Sequence, residues 1–125
     1  MKAMDRREAG AAAEAAALAR LSARGLQLVA RNYRCRGGEI DLVMLDGRTL
    51  VLVEVRYRAS RAFGGAAASV TRLKQRRIAT AARHLLHART ALRNYPVRFD
   101  VVAVSPGHDG AYDIEWIKAA FSVEG

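Results

Sequence analysis

The sharpest pattern in the chain lies between residues 39 and 58. Glu39–Leu45 and Arg48–Arg58 are strand-like runs of alternating character, separated by Asp46-Gly47. Asp-Gly between alternating runs is the strongest short-range sign of a β-hairpin. Upstream, residues 5–24 are rich in Ala and Leu, the best helix formers, and predict a first helix. Asp5 with Glu8 three residues on makes a capping-box-like start, and Gly25 stands where a C-terminal cap belongs. Leu26–Arg31 predicts a short strand and Asn32–Gly38 a polar, Arg-rich link. After the hairpin, the small residues of 59–69 predict a loop. Thr71 can cap a second helix over 72–92, with Leu73, Ile78, Ala81, Ala82, Leu85 and Leu86 near its apolar face. Pro96 stops any extension. Val97–Val104 and Tyr112–Ile117 predict two more strands around a turn-rich Ser105–Gly110, and Lys118–Phe121 a last helical turn. The order α-β-β-β-α-β-β predicts an α/β fold, a mixed sheet flanked by helices, in one domain spanning residues 1–125.

A two-residue turn at Asp46-Gly47 sets Leu45 opposite Arg48, Asp41 opposite Leu52 and Glu39 opposite Glu54. That register gathers Glu39, Asp41, Glu54 and Arg56 on one side with Leu50 and Leu52, and puts Ile40, Leu42, Val51, Val53 and Val55 on the other. Asp41 and Glu54 become diagonal neighbours, roughly 7 Å apart at the backbone. A solvated polar face accounts for such charges structurally, and so does an ion pair between Glu54 and Arg56. Yet Glu54 interrupts the apolar run Leu50–Val55, which predicts burial on both faces. A buried charge is costly unless it is paired or bound to metal. Carboxylates in this pattern also suit a hard cation, since Mg²⁺ takes one or two of them, keeps several waters and binds substrate phosphate. Glu14 shares a helix face with Leu18 and Leu21, the face expected to pack on the sheet, and is a further candidate.

Composition narrows the partners. A chain of 125 residues fits one domain and can bury enough surface to fold without staples. The single cysteine, Cys35, excludes an intramolecular disulfide and a Cys-based zinc site, and fits a reducing compartment. Apolar stretches fall far short of the ~20 residues needed to span a membrane. Asp5, Arg6, Arg7, Glu8 and Glu14 interrupt any signal-like core. The expectation is a cytoplasmic protein without a membrane partner. The net charge of +9 points to a polyanion. Arg supplies 18 of the 21 basic residues, and Arg makes planar, bidentate phosphate contacts. The 25 Ala residues beside them also fit a GC-rich coding bias. The charge is not spread evenly. Between Val55 and Phe99 there is no Asp or Glu, but there are 10 Arg and Lys74. Arg58, Arg72, Lys74, Gln75, Arg76 and Arg77 in this block are the candidate nucleic-acid contacts. His84, His87 and His108 lack zinc spacing, and Cys35 lacks a His or acid partner. Trp116, Phe99 and Phe121 read as core; Tyr33 and Tyr57 flank basic residues and read as packing or as platforms for unpaired bases.

Three stretches then carry a resemblance: Asn32-Tyr33-Arg34, Arg36-Gly37-Gly38-Glu39-Ile40-Asp41-Leu42-Val43 and Leu52-Val53-Glu54-Val55-Arg56-Tyr57-Arg58. Phe63–Thr71, Lys74-Gln75 and Arg98-Phe99-Asp100-Val101-Val102 extend it over about residues 10–121. The chain resembles the YraN-like family of small bacterial proteins, which itself resembles the PD-(D/E)XK nuclease superfamily near archaeal Holliday-junction resolvases. The resemblance implies a restriction-endonuclease-like core, a Mg²⁺ or Mn²⁺ cofactor and DNA as partner, and it leaves room for RNA and for a homodimer. Asp41 matches the metal-binding Asp of the motif and Glu54 its second acid. Glu14 resembles the helix-one Glu of the resolvase branch, completing an implied metal set of Asp41, Glu54 and Glu14. Glu39 belongs to the family's own motif as an accessory acid. Arg56 stands where the superfamily has Lys. Arg cannot lose its proton, so a general base at this position is excluded, while stabilisation of charge on the scissile phosphate is retained. Lys74 and Gln75 resemble accessory polar residues, and Lys74 is a candidate replacement amine. The implied function is a metal-dependent endonuclease for structured or branched DNA, with Asp41, Glu54 and Arg56 catalytic. A non-catalytic nucleic-acid-binding module on the same fold is the alternative. A basic protein-interaction or ribosome-associated factor is the third option.

Overall fold

The first helix, α1 (Arg6–Ala23), starts as its sequence predicts, with the Asp5 side chain accepting a 2.8 Å hydrogen bond from the Glu8 amide. The structure is a computed structural model, and it describes residues 5–59, 65–107 and 110–123. Ala13, Ala17 and Leu21, four residues apart, form the buried stripe of α1. Small residues on that stripe let the helix lie close to the sheet. Strands β1 (Gln27–Cys35), β2 (Gly38–Asp46) and β3 (Thr49–Tyr57) follow, then the second helix α2 (Arg72–Ala88), and finally β4 (Val97–Pro106) and β5 (Tyr112–Phe121).

These strands form one five-stranded sheet in the order β1-β2-β3-β4-β5. All neighbours are antiparallel except β3 and β4, which run parallel and are joined by the segment carrying α2. The sheet is mixed and flanked by helices, as the order of predicted elements requires. Two apolar layers result. Ile40, Val43, Leu50, Leu52 and Val101 pack with Ile78, Ala81 and Leu85 of α2. Leu42, Met44, Val51, Val53, Val102 and Val104 pack with α1. With both faces covered, β3 is buried from Leu50 through Glu54.

Several local expectations are corrected. The hairpin pairs Asp46 with Thr49 and Leu45 with Leu50, so its turn is Gly47-Arg48 and not Asp46-Gly47. Gly47 supplies the positive φ of 59° that the turn needs. The shift is two positions in total, so faces are conserved but partners change, and Asp41 comes level with Glu54 and not with Leu52. Asn32–Cys35 continues β1 and is not a link. Its polarity reflects an edge strand whose outer side faces solvent. Lys118–Phe121 continues β5 and is not a helical turn, because Phe121 pairs with Phe99 and the Ala119 amide donates to Asp100. The second helix ends at Ala88, where Arg93 Nε takes the Leu86 carbonyl at 3.1 Å and Thr90–Leu92 tightens into a short 3₁₀ turn. Leu73 is 64 % exposed and does not join the apolar face of α2. In the segment between β3 and α2, Ala67–Ser69 forms another 3₁₀ turn. Phe63 and Gly64 of the family motif, Arg61 of the basic block and His108 lie outside the described residues. Among the described residues, no helix is long and apolar enough to cross a membrane.

Candidate functional site

The site grows from one close packing contact. Gly38 opens β2 directly against the backbone of α2, where an added Cβ would lie 2.3 Å from the Arg77 carbonyl oxygen. Any side chain there would push strand and helix apart. The contact brings Glu39 to Lys74, whose Nζ donates to Glu39 Oε1 at 2.9 Å. Lys74 is aimed by the first turn of α2, which Thr71 caps by accepting from the Lys74 amide at 3.1 Å. The Lys74 hydrogen bond is the main reason that the Glu39 carboxyl sits below its ordinary pKa, aided by the charges of Lys74, Arg34 and Arg77.

Lys74 also reaches the central acid. Its Nζ lies 3.8 Å from Glu54 Oε2, and Arg56 Nη1 lies 3.6 Å from the same oxygen. The other oxygen is different. The Glu54 side chain is 3 % exposed, and its Oε1 has no hydrogen-bond partner among the described residues. Burial first, then the charge of Asp41 and a hydrogen bond to it, push the Glu54 carboxyl up to about 8, with Lys74 and Arg56 only partly offsetting them. The unpartnered oxygen and the neighbouring carboxylate mark a place where positive charge is wanted.

Asp41 sits where the strand alternation breaks. Ile40 and Val43 pack toward α2, whereas Leu42 and Met44 pack toward α1. The predicted grouping of Ile40 with Leu42, Val51 and Val53 is therefore corrected. The break lies between the Arg31–Leu42 and Tyr33–Ile40 pairs, at Asn32, which takes a positive φ of 49°. Asn tolerates that conformation better than most residues. Asp41 Oδ2 accepts from the Val55 amide at 2.8 Å, which ends the β2–β3 ladder and fixes the carboxylate beside Glu54. Asp41 also lines a groove on the α1 side together with Glu14. Hence Asp41 does not project with Glu39, Glu54 and Arg56 toward α2, as a regular hairpin would require; it touches both sides.

The remaining predicted residues divide in two. Glu14 is 12 % exposed and lines the groove, but its Oε1 accepts from Arg31 Nη2 at 3.3 Å and Asn32 Nδ2 at 2.9 Å. Among the described residues, no three His, Cys, Asp or Glu side chains converge as a metal-holding group. The Asp41–Glu54 pair nevertheless fits a hard cation that uses two carboxylates and completes its shell with water. Arg56 Nε and Nη2 hold Ser69 Oγ and the Ser69 carbonyl at 3.3 and 3.1 Å, so Arg56 ties the turn before α2 to the site. Gln75 Nε2 donates to the Val70 carbonyl at 3.0 Å and serves the same junction. Arg72, Arg76 and Arg77 are exposed on α2, and Arg58 lies beyond β3 in a separate cavity with Asp113 and Glu115. Sequence reading missed the 2.6 Å hydrogen bond between Tyr33 and His84, which joins β1 to α2. Nothing in local spacing signals a contact 51 residues apart.

Proteins of several bacteria share this sequence pattern. A 54 % identical protein of Saccharophagus degradans aligns over 116 residues, 93 % of this chain and 94 % of its own length. One from Pseudomonas putida is 52 % identical, covering 90 % of this chain and 91 % of its own. One from Cupriavidus pinatubonensis is 56 % identical, with 92 % and 86 % covered. Each is named a UPF0102 protein. The model of the "Uncharacterised protein family UPF0102" matches residues 13–104, which span the Gly38–Asp41 segment, Glu54 and Lys74 together. The chain belongs to the UPF0102 family, the YraN-like proteins.

Proposed function

We propose that the protein binds DNA in the cytoplasm and hydrolyses phosphodiester bonds of structured or branched DNA with the aid of a divalent cation. One observation carries this reading: a buried carboxylate, Glu54, has Asp41 as its neighbour and an Oε1 without a hydrogen-bond partner among the described residues, and a strongly basic stretch of chain follows it. Such a pair is costly to fold and gains a purpose when a cation lies between its carboxylates. Asp41 and Glu54 would hold Mg²⁺ or Mn²⁺. That ion would supply charge stabilisation at a phosphate oxygen and a water of lowered pKa. Arg56 stays charged and fixes the carboxylate from one side. Lys74 brings a second cation to the same oxygen, where the superfamily motif has its lysine on the strand. The exposed Arg72, Arg76 and Arg77 would hold the DNA backbone nearby.

A second reading has its own support. The Glu54 Oε2 already lies 3.6 Å from Arg56 and 3.8 Å from Lys74, as in a structural ion cluster. In that case the fold binds nucleic acid without cutting it. Cleavage of flap, junction and duplex DNA with Mg²⁺ or Mn²⁺ separates the two. The nuclease reading expects cutting that Asp41→Asn and Glu54→Gln each abolish. Cutting that survives both substitutions overturns it. Metal-independent, steeply salt-dependent binding without cutting supports the second reading.

A further inference from the structure

The groove on the α1 side has a composition that the carboxylate pair alone does not explain. Its volume is about 600 Å³, within the ~300–1,000 Å³ range of small-ligand sites. Arg6 and Arg7 line it from the first turn of α1, and Arg31 and Arg34 from β1. Arg6 and Arg7 form no ion pair among the described residues. Arg34 has only a long 3.9 Å contact with Glu39, and its side chain is 74 % exposed. Four arginines thus line the groove beside two acids, Glu14 and Asp41. Tyr57, the last residue of β3, also lines it. The residue is 38 % exposed, and its ring is braced edge-on by Tyr112, with centroids 6.5 Å apart at 88°.

Basic side chains along a groove with an aromatic platform are the physical signature of a single-strand site. The cations follow the backbone, and the ring stacks a base whatever its sequence. A duplex keeps its bases stacked inside and its two backbones on a wide cylinder, so it cannot enter a groove of this size. We propose that this groove holds an unpaired DNA segment, with its phosphates on Arg6, Arg7, Arg31 and Arg34 and a base against Tyr57. The proposal rests on the nucleic-acid reading above and narrows its substrate to DNA with an unpaired strand, such as a flap or fork. It also relocates the main contact from α2, where most of the basic block lies, to α1 and β1. Glu14, by holding Arg31 and Asn32, is then a positioning residue for the groove wall.

The test is a fluorescence anisotropy titration of the full chain, without metal and at low salt. The probes are a short labelled oligothymidylate and a blunt duplex of the same length. The expected result is tighter binding of the single strand. The double variant Arg6→Ala/Arg7→Ala, at two exposed positions, weakens it by about tenfold or more. Tyr57→Ala weakens it by about tenfold, whereas Tyr57→Phe, which keeps the ring, binds as the parent does. Arg72→Ala/Arg76→Ala on α2 has the smaller effect. Circular dichroism confirms that each variant is folded, and Tyr57→Phe keeps the aromatic claim testable if Tyr57→Ala is not. Equal affinity for the duplex, or binding that follows the α2 variants and ignores the groove variants, overturns the groove proposal and leaves the nucleic-acid reading standing. Parent protein that binds neither probe overturns both.

Discussion

Two carboxylates are buried in the middle of the same sheet, on neighbouring parallel strands, and they are treated in opposite ways. Asp100 on β4 is 0 % exposed and fully engaged. Arg98 grips it with two nitrogens at 2.9 and 3.0 Å, Trp116 Nε1 donates at 2.9 Å, and the Ala119 amide donates at 2.9 Å. Arg98 is in turn shared with Asp46 at 3.1 Å, and the Asp100 hydrogen bond raises the guanidinium's pKa further. Glu54 on β3 is almost equally buried, but one of its oxygens has no hydrogen-bond partner among the described residues and a second acid presses on it. The first arrangement is how a sheet accommodates a charge it uses for structure. The second leaves a local conflict unresolved, and unresolved conflicts of this kind gather at functional sites.

The contrast is open to direct attack. Asp100→Ala should have the largest effect, because it leaves the partly buried Arg98 with Asp46 alone and removes the partner of the Trp116 and Ala119 donors. Urea unfolding should show a loss of about 3–5 kcal/mol. Glu54→Gln should do the reverse. The folded pKa of about 8 lies above the ordinary 4.5. Between those values the folded chain keeps a proton that the unfolded chain releases, so stability falls as pH rises from 4.5 to about 8. Gln removes that dependence. The variant should match the parent below pH 4.5 and exceed it above pH 8, on the order of 2 kcal/mol, in thermal or urea unfolding across pH. A variant less stable than the parent at high pH would equate Glu54 with Asp100 and erase the contrast. Lys74→Met should change stability least, by about 1 kcal/mol or less for a partly exposed pair. Its readout is titration by carboxyl NMR. Glu39 should return toward its ordinary range and Glu54 should move higher still, since Lys74 lowers both.

How far this was legible from the sequence differs between the two regions. Alternation in β2 and β3 was enough to bring Asp41 near Glu54 and to predict that Glu54 is buried. The exact partners were not legible, because a turn at Gly47-Arg48 and one at Asp46-Gly47 present the same faces. The opposite projection of Asp41 was also hidden. It depends on the positive φ of Asn32 in a strand whose polarity makes it read as a link. The Asp100 cluster was out of reach for another reason. Its donors lie 16 and 19 residues away on β5, and the stretch Lys118–Phe121 has the local propensity of a helical turn. Pairing with β4 overrides that propensity. Lys74 was legible as a candidate, but its approach to Glu54 requires the close contact of Gly38 with α2.

The Asp41–Glu54 pair is expected to hold a divalent cation in place of the proton that Glu54 keeps at neutral pH. Isothermal titration of the full chain with Mn²⁺ at neutral pH, repeated in buffers of different ionisation enthalpy, tests it most directly. The account predicts saturable binding accompanied by proton release, with both lost in Asp41→Asn. Absence of saturable binding, or binding unchanged in Asp41→Asn, would contradict it.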